Sequence, residues 1–169
     1  MKKKLITLTL LAGMLFSLNA CKKEKSELEF TTGIVLKSIS DDIDNTAMVT
    51  ATYTDWLTFR EGRDYLTDLD EKYNEDYFND KALFIYVTIE PQSISELEIT
   101  NIYRDGDCLE VNIDIKHGDA YVVTKGMVIA ELAKKDVKGI KCYTLHKTNP
   151  LAWIIYDQKR CITSAPFLY

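Results

Sequence analysis

The sequence predicts a mainly β chain of the α+β kind: a twisted antiparallel sheet folded over as a sandwich or partial barrel, with one or two short helices between the early strands. Three observations predict it. Seven or eight short segments alternate apolar and polar residues or concentrate β-branched ones. Asp, Asn, Gly and Pro punctuate them as turn residues do. A single acidic stretch, 64–80, instead carries its apolar residues at helical spacing.

The segment 28–39 is rich in β-branched and apolar residues and reads as the first strand, with Gly33 interrupting it as a bulge would. Asp41-Asp42-Ile43-Asp44-Asn45 is a turn by composition. The segment 48–53 alternates Val49, Ala51 and Tyr53 with Met48, Thr50 and Thr52, the period of a second strand. Thr54-Asp55 before Trp56 then suits a helix start, the hydroxyl capping free amides and the acid favoured in the first turn.

Between 64 and 80, Tyr65, Leu69, Tyr73 and Tyr77 recur every four residues, with Leu66 and Phe78 beside them. One or two short helices are expected, and these aromatics, with Tyr53, Trp56 and Phe59, are read as core rather than as a binding surface. The segment 83–90 is a strand with Leu83, Ile85, Val87 and Ile89 on one face and Phe84, Tyr86 and Thr88 on the other, ended by Pro91. A hairpin follows, 97–103 returning through Asp105-Gly106 to 109–115, the Asp-Gly pair suiting a turn that needs positive φ. Its second arm sets Leu109, Val111, Ile113 and Ile115 toward a core and Glu110, Asn112, Asp114 and Lys116 toward water. Further strands are expected at 121–123, 127–132, 140–146 and 153–156, with a turn at 136–139.

The first twenty residues fall into three zones: Lys2, Lys3 and Lys4, an apolar run over 5–18, and Ala20 before Cys21. That is the layout of a secretory signal, 1–20, removed on export. Its run of fourteen residues is shorter than the about 20 that a membrane-spanning helix takes. Leu18-Asn19-Ala20-Cys21 resembles the lipobox of bacterial lipoproteins, with a branched apolar residue three positions before the cysteine and a small one immediately before it. The resemblance implies cleavage between Ala20 and Cys21 and diacylglycerol, with chains of the palmitate kind, on the Cys21 sulfur. Two acyl chains hold a protein on a membrane where one is marginal. The alternative is an ordinary secretory signal with a cysteine there by chance. Residues 21–27, charged and without apolar side chains after Cys21, read as a lipidated tether, and 28–169 as one β-rich exported domain.

Without 1–20 the chain keeps 18 basic against 26 acidic residues, a formal charge near −8. Such a domain repels phosphate backbones, and no basic stretch studded with aromatics offsets this, so nucleic acid is not expected as a partner. Lys22, Lys23 and Lys25 against Glu24 and Glu27 make too mild a bias to imply headgroup binding by the tether. Outside the cytoplasm a disulfide is permitted. Of the three pairings open to Cys108, Cys142 and Cys161, the one preferred is Cys142 with Cys161, whose strands are expected to be neighbours; three small buried thiols are the alternative.

Tyr53 and Trp56, then Tyr73, Glu75-Asp76, Tyr77-Phe78 and Lys81-Ala82-Leu83 leading into a strand, followed by the hairpin and a strand at 127–131, make the stretch 53–132 similar to the C-terminal domain of the PrcB family of protease-complex subunits. About half the chain is covered. Members often carry a Gly-rich or Ser-Gly turn after that strand, where this chain has Glu90-Pro91-Gln92-Ser93-Ile94. The family would imply a non-enzymatic domain that binds or stabilises another protein outside the cytoplasm.

Catalytic patterns are scarce. Cys142 and His146, four residues apart on a strand, would share a face at about 13 to 14 Å, too far for a thiolate pair. Asp68, Asp70 and Asn74 approach calcium-loop spacing, but Lys72 and Tyr73 stand where the loop needs an acid or amide and a glycine. No nucleophile elbow, zinc-protease helix, phosphate loop or dinucleotide glycine pattern occurs. No catalytic residue, metal or cofactor is therefore expected beyond the lipid on Cys21. The expected function is a lipid-anchored, extracytoplasmic interaction module on the cell membrane or outer membrane surface, its partners the membrane and an envelope protein or protease. The alternatives are an envelope hydrolase, which requires ionisable side chains converging in a cleft, and a carrier of a small apolar ligand, which requires an internal cavity.

Overall fold

Alternation along each strand decides the layers. In β4 (Lys81–Glu90) Ala82, Phe84 and Tyr86 belong to one apolar cluster, while Leu83, Ile85 and Val87 belong to another. A strand buried on both faces must lie between two layers, which is why its sequence is nearly continuous in apolar residues. The computed structural model describes residues 25–39 and 44–148, with the backbone of 156–161. Ala20, Cys21, most of the expected turn at 41–45 and Trp153 lie outside the described residues.

Two sheets pack face to face as a β sandwich. One has the order β1-β5-β6-β8-β9, formed by β1 (Ser26–Glu27), β5 (Ile94–Asp105), β6 (Cys108–His117), β8 (Cys142–Thr148) and β9 (Tyr156–Cys161). The other has the order β2-β7-β4-β3, adding β2 (Phe30–Leu36), β7 (Thr124–Ala133) and β3 (Thr46–Thr50). Between them lie Phe84, Tyr86, Ile99, Ile102, Leu109, Val111, Ile113, Ile115, Val128 and Leu132. The outer face of the second sheet is covered by α1 (Tyr53–Arg60) and two 3₁₀ helices, Asp64–Leu69 and Tyr77–Asn79.

The helical cover is where the dense aromatics go, and they are core as expected. Trp56 and Tyr73 are fully buried, their rings edge-on at 5.1 Å, with Tyr77 a further 5.1 Å from Tyr73. Trp56 Nε1 donates to Asp70 Oδ1 at 3.3 Å, and Arg60 pairs with the same oxygen at 3.1 Å. Asp70, a candidate calcium ligand by spacing, is thereby committed to holding the cover. The helix cap is Thr52, two residues earlier than expected: its Oγ1 accepts from Asp55 N at 3.1 Å. The four-residue repeat does not make one α-helix, because Asn74 Oδ1 accepts from Tyr77 N at 3.0 Å and turns the chain.

Four expectations about strands are revised. The first strand, expected over 28–39, is β2, with the bulge at Gly33 as expected where the β2–β7 register shifts between Thr32 and Ile34, and it is preceded by β1, which takes Ser26 and Glu27 out of the expected tether 21–27. The second runs Thr46–Thr50, since the chain must leave it to cap α1 at Thr52. Of the last, expected at 153–156, the described part opens at Tyr156 and runs on to Cys161. Residues 121–123 are not a strand: Thr124 pairs with Glu90, the last residue of β4 before Pro91, and the ladder has no partner beyond it.

The hairpin forms as expected, with Gly106 at φ 65°. The sheet is not wholly antiparallel, however. Because β7 lies in the opposite sheet, the chain crosses over and β8 returns alongside β6 in the same direction, with Cys108 opposite Cys142. Their Cα atoms are 4.5 Å apart and a disulfide joins them. The pairing Cys142–Cys161 is thus replaced by Cys108–Cys142. The strands of Cys142 and Cys161 are neighbours as expected, and the two residues are opposite in register, but the Cys142 sulfur is already bonded.

Candidate functional site

Three strands run their inward-facing apolar series toward the same end of the sandwich and finish it with a polar residue. On β4 the series Ala82, Phe84, Tyr86 continues as Thr88 and Glu90; on β6, Leu109 to Ile115 continues as His117; on β8, Tyr143 and Leu145 continue as Lys147. The four polar side chains meet between the sheets. Lys147 Nζ donates to Thr88 Oγ1 at 3.2 Å, and Thr88 Oγ1 donates to Glu90 Oε1 at 2.5 Å. His117 Nε2 lies 3.2 Å from Glu90 Oε2, and Lys147 Nζ lies 3.8 Å from Oε1.

Burial gives this cluster its character. The side chains of His117 and Glu90 are 3% and 9% exposed, and Thr88 is wholly enclosed. With Nε2 turned to the carboxylate, the opposite ring nitrogen of His117, Nδ1, is buried without a hydrogen-bond partner among the described residues. Burial holds the neighbouring Tyr86 hydroxyl above the usual tyrosine pKa, with Lys147, 5.4 Å from its ring, acting against the shift. A cavity of about 60 Å³ touches Tyr86 and Lys147, a fraction of the roughly 300 to 1,000 Å³ of small-molecule sites. Glu90, His117 and Thr88 have the residue types of an acid–base relay, yet Thr88 has no surface for a substrate to reach. The arrangement neutralises an interior carboxylate and fixes the strand ends.

Those strand ends carry a loop. From His117 the chain turns at Gly118, whose N–H donates to Ser93 O at 2.7 Å, while Ser93 N donates to Ala120 O at 2.9 Å. A Cβ on Gly118 would lie 2.6 Å from Ser93 Oγ, so a larger residue there would turn the Ser93 hydroxyl aside. Val122 N then donates to Ala120 O at 3.0 Å, and Thr124 Oγ1 to Val122 O at 3.1 Å. The loop is pinned at its base and folded at its tip. It presents Tyr121, Val122 and Val123 to solvent, 88%, 53% and 68% exposed.

Comparisons with protein families, with curated proteins and with solved structures find no match for this chain.

The residues singled out in the sequence are dispersed. Cys142 is half of the disulfide, and His146 stands 3.7 Å from Glu110 Oε2 on the outer face of its sheet, so the two form no dyad. The carboxylate of Asp107 and the sulfurs of Cys108 and Cys142 lie within 4.8 Å of one another, but sulfurs bonded to each other are not thiolate ligands. Sequence reasoning missed Glu90, His117 and Lys147 as a group. The signal was present: each continues the inward parity of its strand with a polar residue.

Proposed function

We propose that the chain is a lipid-anchored, non-enzymatic interaction module of the bacterial cell envelope that offers the loop 118–123 to a partner protein. One observation carries the reading: three consecutive large apolar side chains stand in solvent on a pinned loop, at the end of the sandwich opposite to where the chain runs back toward Cys21. Ser26 pairs with Arg104, which pairs with Leu109, whereas the loop follows His117 at the other end of β6. At about 3.4 Å per residue the two ends are roughly 30 Å apart. Contiguous exposed apolar surface of this kind is characteristic of contact sites, and a loop already ordered avoids part of the entropy loss of binding. The occupant that fits is an apolar pocket on an envelope protein, the class of partner the PrcB resemblance also implies.

The test places a photo-crosslinking residue at Tyr121 in the full chain in its own host, with the same residue at exposed Glu98 on β5 as control. A discrete adduct from Tyr121 alone supports the reading, and its loss in a Cys21→Ser chain ties it to the membrane. Identical smears from both positions would refute it.

A further inference from the structure

The opposite end of the sandwich carries a different surface. The short helix α2 (Lys134–Val137) and the turn to Gly139 close a cleft of about 750 Å³ against the start of β4. Its floor includes Ala51, Ala133 and Val137, and its lining includes Lys81, Lys134, Lys135 and Lys138 against one acid, Asp80. In a mature chain of formal charge near −8, this is a local reversal of sign. The segment is held in place. Arg104 donates from its two terminal nitrogens to Asp136 O at 2.7 Å and Lys138 O at 2.8 Å, Lys134 Nζ donates to Phe78 O at 2.7 Å, and Val137 is buried. Lys81, Lys135 and Lys138 are exposed, with no carboxylate partner among the described residues. The adjoining groove carries Glu27, Glu29 and Asp136, together with Glu131, which is paired to Lys72 at 2.5 Å. The cationic rim is therefore one side of this end rather than all of it.

We propose that this lysine-rimmed cleft docks on the phosphate-bearing headgroups of anionic lipids in the membrane to which Cys21 anchors the chain, a proposal that rests on the anchor reading. Chain length decides the occupant. Between Cys21 and Lys25 lie residues 22–24 alone, so even fully extended the anchored cysteine is within roughly 14 Å of Lys25. Ser26 is paired to Arg104, and Arg104 holds the carbonyls of Asp136 and Lys138. The cleft is thus carried to the membrane surface by the anchor itself, within about a Debye length or two, where lysines and anionic headgroups attract. The tether bears Lys22, Lys23 and Lys25 against Glu24 and Glu27, too mild a bias by itself. The fold adds the four lysines of the cleft to it.

The experiment uses the mature protein taken from host membranes and returned to vesicles of pure phosphatidylcholine or of phosphatidylcholine with phosphatidylglycerol. Flotation and the acylation rate of each lysine are read by mass spectrometry. On anionic vesicles Lys135 and Lys138 should be acylated roughly thirtyfold more slowly than on neutral ones, the effect of two lysines at an anionic surface. Lys116, at the far end of β6, should be unchanged, and high salt should abolish the difference. Equal rates for Lys135 and Lys138 on the two vesicle types overturn the docking site while the anchor stands. Flotation with anionic but not neutral vesicles sinks the anchor and supports the cleft. Protection by inorganic phosphate on neutral vesicles overturns the choice of lipid. A Lys135→Gln/Lys138→Gln chain, altered only at exposed positions, should lose the anionic-vesicle protection of Lys81; retained protection overturns the assignment.

Discussion

Replacing Lys147 with methionine removes the cation beside Glu90 and leaves the aliphatic packing nearly intact. The Glu90 side chain is 9% exposed and, among the described residues, would keep Thr88 and His117 as partners. Stripping one partner from a buried ion pair costs about 3–5 kcal/mol. Lys147 is itself 24% exposed and 3.8 Å from the carboxylate, so solvent screening brings the expected loss to about 2–3 kcal/mol. At about 3 °C per kcal/mol for a domain of this size, the melting temperature should fall by roughly 6–9 °C. Glu90→Gln should cost about 1 kcal/mol, because Lys147 then turns its ammonium to water. The double variant should be more stable than Lys147→Met alone, with a coupling energy of about 1 kcal/mol or more. Urea unfolding followed by tryptophan fluorescence measures all three, Trp56 being fully buried against the second sheet. Strictly additive losses, or a loss under about 0.5 kcal/mol for Lys147→Met, would show that the cluster does not hold the strand ends together as argued.

Three further outcomes follow from packing and charge. Peptide mapping of the unreduced chain should recover Cys108 linked to Cys142. Replacing both by alanine should cost about 3–4 kcal/mol on the chain-entropy account for residues 34 apart, while a recovered Cys142–Cys161 peptide would reverse the assignment. Gly33→Ala should cost about 1–3 kcal/mol, since its Cβ would press on Tyr73 Oη and lie 2.8 Å from Glu131 Oε1; in a Tyr73→Phe background, which removes that hydroxyl, the loss should be smaller. Tyr73 and Tyr77 have pKa values raised by burial first and by Glu131 second. Their neutral forms therefore support the fold fully below about pH 10, and stability falls above it as the unfolded tyrosines ionise and the folded ones do not. Tyr73→Phe should make that alkaline decline shallower in denaturant titrations.

Periodicity made most of the fold legible. The alternation over 109–115 gave the inward set of β6 residue by residue, and Asp105-Gly106 gave the hairpin turn. What periodicity does not carry is which strands pair. The parallel β6–β8 contact depends on β7 lying in the other sheet, a matter of global topology, and it diverted the disulfide from Cys161 to Cys108. The strand expected at 121–123 failed for a related reason: β propensity is a preference for a pleated, half-buried surface, and past Pro91 that surface ends. The polar cluster was visible only as three breaks in apolar parity, at Glu90, His117 and Lys147, meaningful once the three strands are known to end together. Of the lysine cleft, Lys134, Lys135 and Lys138 stand together in the sequence, but Lys81 joins them only through the return of β7 along β4.

The two-residue ladder of Ser26–Glu27 on β5 has a mechanical consequence. Were the chain anchored at Cys21 and held at the loop 118–123, as proposed, a pull between the two would run along the length of β6 and β7, so their many ladder bonds, lying across the strands, would be loaded in shear and share the force. At the other end the load enters through only two paired residues and the bonds of Lys25 to Glu110 and of Leu28 N to Ile102 O. Under such tension that short clasp would yield first, letting out a few residues while both sheets stay whole.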